Sequence, residues 1–379
     1  MLLKLQLFAT LSLIAHDANA LSLGRVGITL TTASLKDYTR LDPFSPSPQA
    51  REVVISTFSP AANNCTCFIE VPYMPPATAR FESHKLSASY GLPEDLFTNL
   101  TLSTASPSCH NSTSAASHAG QPTIVFSPAL GTTRHFYNLL AATLAASGHR
   151  VVTIDHPYDA DIVEFPNGTL VHGLDLNDTQ LPLAVQTRAQ DIRFVVDSLA
   201  SHARPHGSSR GLPAALAVGH SLGGAAAVVA AAGGSRLRGA ANLDGSVPGG
   251  LPNHGRSAGA AVAPEPVLFV AHEGKNLTTD ETWAAVWPRL GGVKSLLALR
   301  GSQHYTFSDF PALVAGLGLD VTGSDAIQAM VGSIPGNEAM ATVVGVLDTF
   351  SRLAAGVIGP EEFAAAAREY DQIQVVLGP

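Results

Sequence analysis

The segment GHSLGG at residues 219–224 sets a serine between glycines that stand two positions before and two positions after it. The apolar run at 214–218 predicts a strand before the serine, and the small-residue run Leu222–Ala232 predicts a helix after it. A strand that turns at once into a helix strains the backbone of the central residue and lifts its side chain above the sheet edge. Ser221 is therefore predicted to be a nucleophile. The alternative is a serine that merely caps the helix.

A serine hydroxyl is not nucleophilic at neutral pH unless a base removes its proton and an acid orients that base. On a strand–serine–helix turn the chain order is serine, then acid, then histidine. His304 follows a predicted strand at 293–299, so it can reach over the carboxyl edge of the sheet, and we favour it as the base. His272, after a predicted strand at 267–271, and His254, inside a loop rich in glycine and proline, are the alternatives.

Two carboxylates could serve as the acid. Asp244 ends the run ANLD, directly after the strand that follows the serine turn, and Glu273 ends the next strand along the chain. Many hydrolases carry the acid in the later position, whereas a short carboxylate beside Gly245 is well placed to reach an imidazole. From the residues alone both candidates stand equal.

A developing oxyanion needs two backbone N–H donors. One is the amide of Leu222, at the start of the predicted helix, where the helix dipole adds to the attraction. The second is expected from the loop SPALG at 127–131, which follows a predicted strand. Pro128 has no N–H, so Ala129, Leu130 or Gly131 must donate.

The remaining pattern alternates continuous apolar runs with amphipathic segments, which is typical of a parallel sheet covered on both faces. Strands are predicted over 51–58, 67–73, 123–126, 151–154, 214–218, 238–243, 267–271 and 293–299, and helices over 134–147, 181–202, 222–232 and after 334. The order predicts an α/β fold with a mostly parallel central sheet and helices on both faces.

Composition sets the broad class of the protein. The chain has 379 residues, of which 46% are hydrophobic and 14% charged, enough for one large domain. The PFSPSP segment at 43–48 predicts a boundary between an N-terminal extension at 21–48 and a hydrolase domain at 49–379. The net charge of −8, without basic runs, argues against nucleic acid or an anionic membrane as partner.

The first twenty residues predict a secretory signal peptide. Lys4 precedes an apolar run from Leu5 to Ala15, and Ala18-Asn19-Ala20 offers a cleavage site; an uncleaved anchor is the alternative. Export predicts glycosylation of surface Asn-x-Ser/Thr sites. Six are present, at Asn64, Asn99, Asn111, Asn167, Asn177 and Asn276.

The three cysteines predict one disulfide in an oxidising compartment. Either Cys65 or Cys67 pairs with Cys109, or Cys65 and Cys67 form a strained local bridge. A zinc site is not expected, since these cysteines and the histidines lack the usual ligand spacing.

With these residues assembled, the chain resembles the fungal members of the platelet-activating factor acetylhydrolase family, lipases of α/β-hydrolase fold. The likeness runs through residues 51–60, FSPALGTTRHFYN at 126–138, GHSLGG at 219–224, ANLDG at 241–245 and GSQHYTFSDF at 301–310. It implies Ser221 as nucleophile, His304 as base and Asp244 as acid, which decides between the two carboxylates. It also implies the amides of Leu130 and Leu222 as the oxyanion hole.

The chain departs from the family at two places in this site. Pro128-Ala129 stands where family members often have His-Gly, and Leu222 stands where they often have an aromatic residue. Backbone amides bind the oxyanion, so both changes are expected to alter the pocket more than the chemistry.

The expected activity is that of a secreted serine esterase that cleaves a short acyl chain from phospholipids such as platelet-activating factor, through an acyl-enzyme. No metal or organic cofactor is expected, and contact with a lipid surface would be transient. A general carboxylesterase or polyester hydrolase with the same three residues is the second hypothesis. A hydrolase-fold protein that binds without catalysis is the third.

Overall fold

The computed structural model describes residues 13–15, 21–23, 27–62, 65–106, 122–202, 214–234, 236–253, 262, 265–318 and 324–378. The strands run in this order: β1 (Leu13–Ala15), β2 (Leu21–Leu23), β3 (Ile28–Leu41), β4 (Ala50–Pro60), β5 (Phe68–Pro72), β6 (Thr101–Ala105), β7 (Thr123–Ser127), β8 (Val151–Asp155), β9 (Ile162–Glu164), β10 (Leu170–His172), β11 (Ala215–His220), β12 (Leu237–Leu243), β13 (Val267–His272), β14 (Lys294–Leu299) and β15 (Ile373–Leu377).

The helices are α1 (Pro76–Tyr90), α2 (Asn138–Ala146), α3 (Leu181–His202), α4 (Leu222–Ala232), α5 (Glu281–Val286), α6 (Phe310–Gly316), α7 (Asp325–Val331), α8 (Gly336–Ala354) and α9 (Pro360–Ala367). Short 3-10 helices cover Arg134–Tyr137, Trp287–Arg289 and His304–Phe307.

A nine-stranded sheet with the order β15-β14-β13-β12-β11-β7-β8-β4-β3 forms the centre of the described chain. The strands from β8 through β7, β11, β12 and β13 to β14 pair in parallel, and β4 and β15 join them antiparallel. All the parallel strands therefore end at one edge of the sheet. Loops that leave these strands meet at that edge, where α/β folds bind their ligands.

Alternate residues of the buried strands pack into two separate apolar cores, one on each face of the sheet. In β11, Leu216 and Val218 face the core formed with α2, α6 and α8, while Ala217 faces the core formed with α3 and α4. Helices therefore cover both faces, which agrees with the α/β class predicted from the continuous apolar strands.

Residues 28–41 of the predicted N-terminal extension form an edge strand of this sheet. β3 pairs with β4 from Ile28 opposite Pro60 to Leu41 opposite Ala50. The PFSPSP segment at 43–48 lies in the connection between these two paired strands.

The structure describes only some of the residues on which the expectations about export depend. The cleavage site at Ala18–Ala20, the sequon residues Asn64 and Asn111, and Cys109 lie outside the described residues, so cleavage and cysteine pairing stay predictions. Asn99, Asn167 and Asn177 are exposed and Asn276 is partly buried. Among the described helices, none combines the length and the apolar character that crossing a membrane would require.

Candidate active site

Ser221 occupies the turn between β11 and α4. Its backbone, with φ 54° and ψ −126°, lies in a region that L-residues rarely adopt. A Cβ atom on Gly223 would overlap the carbonyl oxygens of Ser127 and Pro128, so glycine is needed for α4 to begin against the loop after β7. The glycines of the GHSLGG segment thus make room for the sharp turn that was predicted.

The structure brings Ser221, His304 and Asp244 together, although 83 residues separate the serine from the histidine. The Nε2 atom of His304 lies 2.9 Å from Ser221 Oγ, and its Nδ1 lies 2.5 Å from Asp244 Oδ2. The His304 side chain is 40% exposed, whereas that of Asp244 is completely buried. The imidazole therefore bridges a buried carboxylate and a hydroxyl at the surface of the site.

Asp244 directly follows β12 and has a positive φ of 61°. Its carboxylate accepts hydrogen bonds from His304 and from the imidazole and backbone N–H of His272, and its backbone carbonyl accepts one from Lys275 Nζ at 2.8 Å. Burial alone would raise the pKa of Asp244, but the hydrogen bonds from the two histidines and the Lys275 charge outweigh it and lower that pKa. The carboxylate is therefore ionised.

The alternative base and acid residues take other places. His272 faces Asp244 rather than Ser221, with Nδ1 at 2.8 Å from each carboxylate oxygen. Glu273 Oε2 accepts from the backbone N–H of Gly301 at 3.3 Å, in the loop that carries His304. His254 lies outside the described residues.

Two backbone amides near Ser221 are available to an oxyanion. In the loop after β7, Ala129 N–H donates to Tyr137 Oη at 3.0 Å and Gly131 N–H donates to the Asp159 carbonyl at 3.0 Å. Within the part of the chain that the structure describes, the amide of Leu130 has no acceptor, and neither does that of Leu222 in the first turn of α4. The close approach of Gly223 to the carbonyl oxygens of Ser127 and Pro128 brings the first turn of α4 against this loop.

The loop that carries His304 is fixed at both ends. The Gly301 carbonyl accepts from the backbone N–H groups of Ser333 and Ile334, and Asp309 N–H donates to the Phe136 carbonyl at 2.8 Å. The Asp309 carboxylate accepts from Tyr73 Oη at 2.6 Å and from Leu139 N–H at 2.7 Å, at the start of α2. The loop that carries His304 is therefore held by Ser333 and Ile334 at one end and by the start of α2 at the other.

Buried hydrogen bonds, which the sequence did not indicate, join the residue before the serine to the loop at 128–131, which we call the oxyanion loop. Tyr137 Oη lies 2.8 Å from His220 Nδ1 and accepts from the Ala129 amide. Burial lowers the pKa of His220 well below its ordinary value and raises that of Tyr137. The contact therefore joins a neutral phenol to a neutral imidazole.

Arg188 is a second residue that sequence reasoning missed. Its buried guanidinium donates to the carbonyls of Pro128 and Ala129 and forms a fork with the Asp159 carboxylate at 2.6 and 2.5 Å. Arg188 therefore holds the oxyanion loop through two carbonyl groups. Because a guanidinium only donates, it does not occupy the N–H groups of that loop. The sequence does contain a signal: Arg188 and Asp191 are charged, whereas the other buried residues of α3, apart from Thr187, are apolar.

Ligand atoms of Asp244, His272 and His304 lie within 4.8 Å of one another, close enough for a metal ion. Both imidazoles already direct Nδ1 at the carboxylate, so a metal would have to displace these hydrogen bonds. The observed contacts fit a hydrogen-bonded array. Chemically, the array can deprotonate the Ser221 hydroxyl, stabilise the resulting imidazolium and bind negative charge that develops near two amides.

Comparison with known proteins finds similarity both in sequence and in structure. A probable 1-alkyl-2-acetylglycerophosphocholine esterase of Arthroderma benhamiae is 32% identical over 317 residues, which cover 79% of each chain. A ferulic acid esterase from Streptomyces cinnamoneus superposes with a TM-score of 0.73 over 97% of this chain and all of that chain, at 24% identity. No protein-family profile matches the sequence. The α/β-hydrolase fold that the sequence predicted is confirmed.

Proposed function

This chain belongs to the platelet-activating factor acetylhydrolase family, the 1-alkyl-2-acetylglycerophosphocholine esterases, and is a carboxylic ester hydrolase; we propose that it removes a short sn-2 acyl group from phospholipids by serine catalysis. The observation that carries this proposal is the hydrogen-bonded series from Ser221 Oγ through His304 to the buried Asp244. Each atom lies at the distance that proton transfer and orientation require.

In the acylation half of the reaction, Ser221 Oγ attacks the ester carbonyl carbon while His304 Nε2 takes the hydroxyl proton. The carbonyl oxygen becomes an oxyanion, which the amides of Leu130 and Leu222 bind. Collapse of this intermediate breaks the bond to the alcohol, and His304 returns its proton to the leaving oxygen. The acyl group then remains on Ser221, and the lysophospholipid leaves.

In the deacylation half, His304 takes a proton from water, whose oxygen attacks the acyl carbon. The second oxyanion collapses, the acyl group leaves as a carboxylic acid, and the proton returns to Ser221. In both halves Asp244 stabilises the His304 imidazolium, since it presents a buried negative charge at 2.5 Å. The chemistry requires no group beyond these residues and water.

The surroundings of the site support a zwitterionic phospholipid as substrate. Tyr305, whose ring centroid lies 5.4 Å from that of His304, and Leu130, in the loop after β7, are both partly buried apolar side chains. At the edge of the oxyanion loop, Lys85 Nζ donates to the Gly131 carbonyl at 3.2 Å and pairs with Asp161. A neighbouring positive and negative charge suit a phosphate and a quaternary ammonium on one headgroup.

Export belongs to the same proposal. The apolar leader at residues 1–20 and the sequon residues Asn99, Asn167 and Asn177, whose side chains are exposed, support a secreted glycoprotein. Transient contact with a lipid surface would then give access to the substrate.

The test compares the chain with Ser221→Ala, and with Ser147→Ala as the matched control at an exposed helix end. The substrates are a choline phospholipid with a short sn-2 acyl chain, its long-chain analogue, triacetin and p-nitrophenyl acetate. We expect the parent chain to hydrolyse the short-chain phospholipid. In Ser221→Ala the activity on every substrate should fall by a factor on the order of 10⁴ to 10⁶, and in Ser147→Ala it should not change.

Other outcomes reject the proposal in distinct ways. Hydrolysis of triacetin and p-nitrophenyl acetate with the phospholipid left intact would indicate the general carboxylesterase. Undiminished turnover by Ser221→Ala would remove Ser221 from the reaction. A folded chain that neither turns over an ester nor reacts with a fluorophosphonate would indicate a binding protein.

A further inference from the structure

Two imidazoles share the one carboxylate of the site. Besides His304, His272 places Nδ1 at 2.8 Å from both Asp244 Oδ1 and Asp244 Oδ2, and its backbone N–H lies 3.2 Å from Oδ1. The His272 side chain is 29% exposed, so it is neither a core residue nor a free surface group. Its position follows from the fold, since it ends β13 beside the end of β12.

The contact fixes the direction of the hydrogen bond. Asp244 is ionised and accepts only, so His272 must carry its proton on Nδ1 and donate it between the two carboxylate oxygens. His304 donates to Oδ2 in the same way. The negative charge that stabilises the His304 imidazolium is therefore divided between two donors.

We propose that His272 is a positioning residue, which orients the Asp244 carboxylate and, by sharing its charge, sets the acidic end of the pH range in which His304 acts as base. This inference rests on the function proposed for Ser221, His304 and Asp244. His272 does not act as a second base, because its Nδ1 faces the carboxylate while Ser221 Oγ is bonded to His304.

Other charged groups lie around His272. Lys275 Nζ lies 3.7 Å from Asp244 Oδ1 and 3.3 Å from Asp280 Oδ2, so Asp280 offsets part of its charge. Glu273 is bonded to Gly301 and faces the loop of His304. Of these groups, the two histidines share one acceptor, Asp244, so the activity profile reports a coupled pair.

The sign of the effect follows from charge sharing. Without the His272 donor, the full carboxylate charge acts on His304, and the protonated, inactive form of His304 becomes more stable. The base is then protonated at a higher pH, so the acid limb of the kcat/KM profile moves upward. An amide at position 272 can restore the donor without adding a titrating group.

The experiment measures kcat/KM for p-nitrophenyl acetate against pH in His272→Phe, which keeps a ring without a donor, and in His272→Gln, which offers an N–H donor. His172→Phe is the control, because His172 is exposed on β10. We expect the acid midpoint of His272→Phe to rise by about 0.5 to 1 pH unit, the size of one charge-assisted hydrogen bond partly lost. His272→Gln should lie closer to the parent, and His172→Phe should match it.

The pH dependence of fluorophosphonate labelling gives a second reading of the same midpoint, and thermal unfolding verifies that each variant is folded. Should His272→Phe fold with an unmoved midpoint, His272 does not share the charge and the inference is wrong. If His272→Phe does not fold, His272→Ala, which also lacks the donor, takes its place: an acid midpoint above those of His272→Gln and His172→Phe supports the inference, and an unmoved midpoint overturns it. An inactive parent chain would instead reject the proposed function.

Discussion

At the scale of single residues, the site depends on three side chains held by strained or buried backbone. Ser221 and Asp244 both have positive φ, and each directly follows a parallel strand, so the turns aim their side chains over the sheet edge. The sequence could place these residues on their turns because the surrounding runs are strongly apolar. It could not show that His272 also reaches Asp244, since that contact depends on the pairing of β12 with β13.

Replacing the carboxylate tests the role of Asp244. Asp244→Asn keeps the shape of the side chain but removes the charge that stabilises the imidazolium and fixes its tautomer. We expect kcat for p-nitrophenyl acetate to fall by about 10³- to 10⁴-fold with KM little changed. Steady-state kinetics at neutral pH measure this, with Asp175→Asn at an exposed position as control. A loss below tenfold in a folded Asp244→Asn would show that Asp244 is not the acid.

At the scale of elements, α3 does more than cover the sheet. Its bounds, 181–202, were predicted from the spacing of its apolar residues and are confirmed. The function of its polar residues was not predicted, because Arg188 acts on residues about sixty positions earlier, through the carbonyls of Pro128 and Ala129. Helical periodicity identifies a buried face but gives no information on which loop that face meets.

Arg188→Lys tests this connection between α3 and the oxyanion loop. Lysine keeps the charge beside the buried Asp159 but cannot form the planar fork that also reaches two carbonyls. We expect the loop to shift by a fraction of an ångström and kcat/KM to fall by about 10- to 100-fold. Arg236→Lys, in a solvent-exposed pair with Asp197, should have no effect. Equal activity of both folded variants would mean that Arg188 does not position the loop.

At the scale of the whole molecule, the sequence predicted the parallel strands and the helices beside them but missed elements without clear periodicity. β3 is mostly exposed along its length, and β15 is a short edge strand, so neither has a continuous apolar run. α1 buries Thr78, Glu82 and Ser83 beside Ala79 and Leu86, so much of its buried face is polar and the helix does not resemble a core helix. Sequence patterns identify surfaces that are buried through apolar side chains. They do not identify surfaces that are buried through polar side chains.

The polar burial of α1 has a consequence for stability. Among the described residues, both carboxyl oxygens of Glu82 lack a hydrogen-bond partner, and the side chain is fully buried. Burial raises the pKa of Glu82 from 4.5 to about 8. The folded state therefore holds a proton that the unfolded state has lost between these two values, and the free energy of unfolding falls as pH rises through this range.

Glu82→Gln removes this titration. We expect the parent chain to lose stability relative to Glu82→Gln by up to about 1.4 kcal/mol for each pH unit between about pH 5 and 8. Urea unfolding at several pH values measures the difference, and Glu94→Gln, exposed in the loop after α1, provides the control. Parallel pH curves for the parent and Glu82→Gln would contradict the raised pKa of Glu82.

Serine catalysis by Ser221 is tested by identifying the residue that becomes covalently attached during the reaction. The chain is treated with a fluorophosphonate, its intact mass is determined, and the labelled peptide is sequenced. A hydroxyl activated by His304 predicts one adduct per chain, on Ser221, that disappears in Ser221→Ala and slows strongly in Asp244→Asn. An adduct on another residue, or ester hydrolysis that continues unchanged after Ser221 is fully labelled, would show that Ser221 is not the nucleophile.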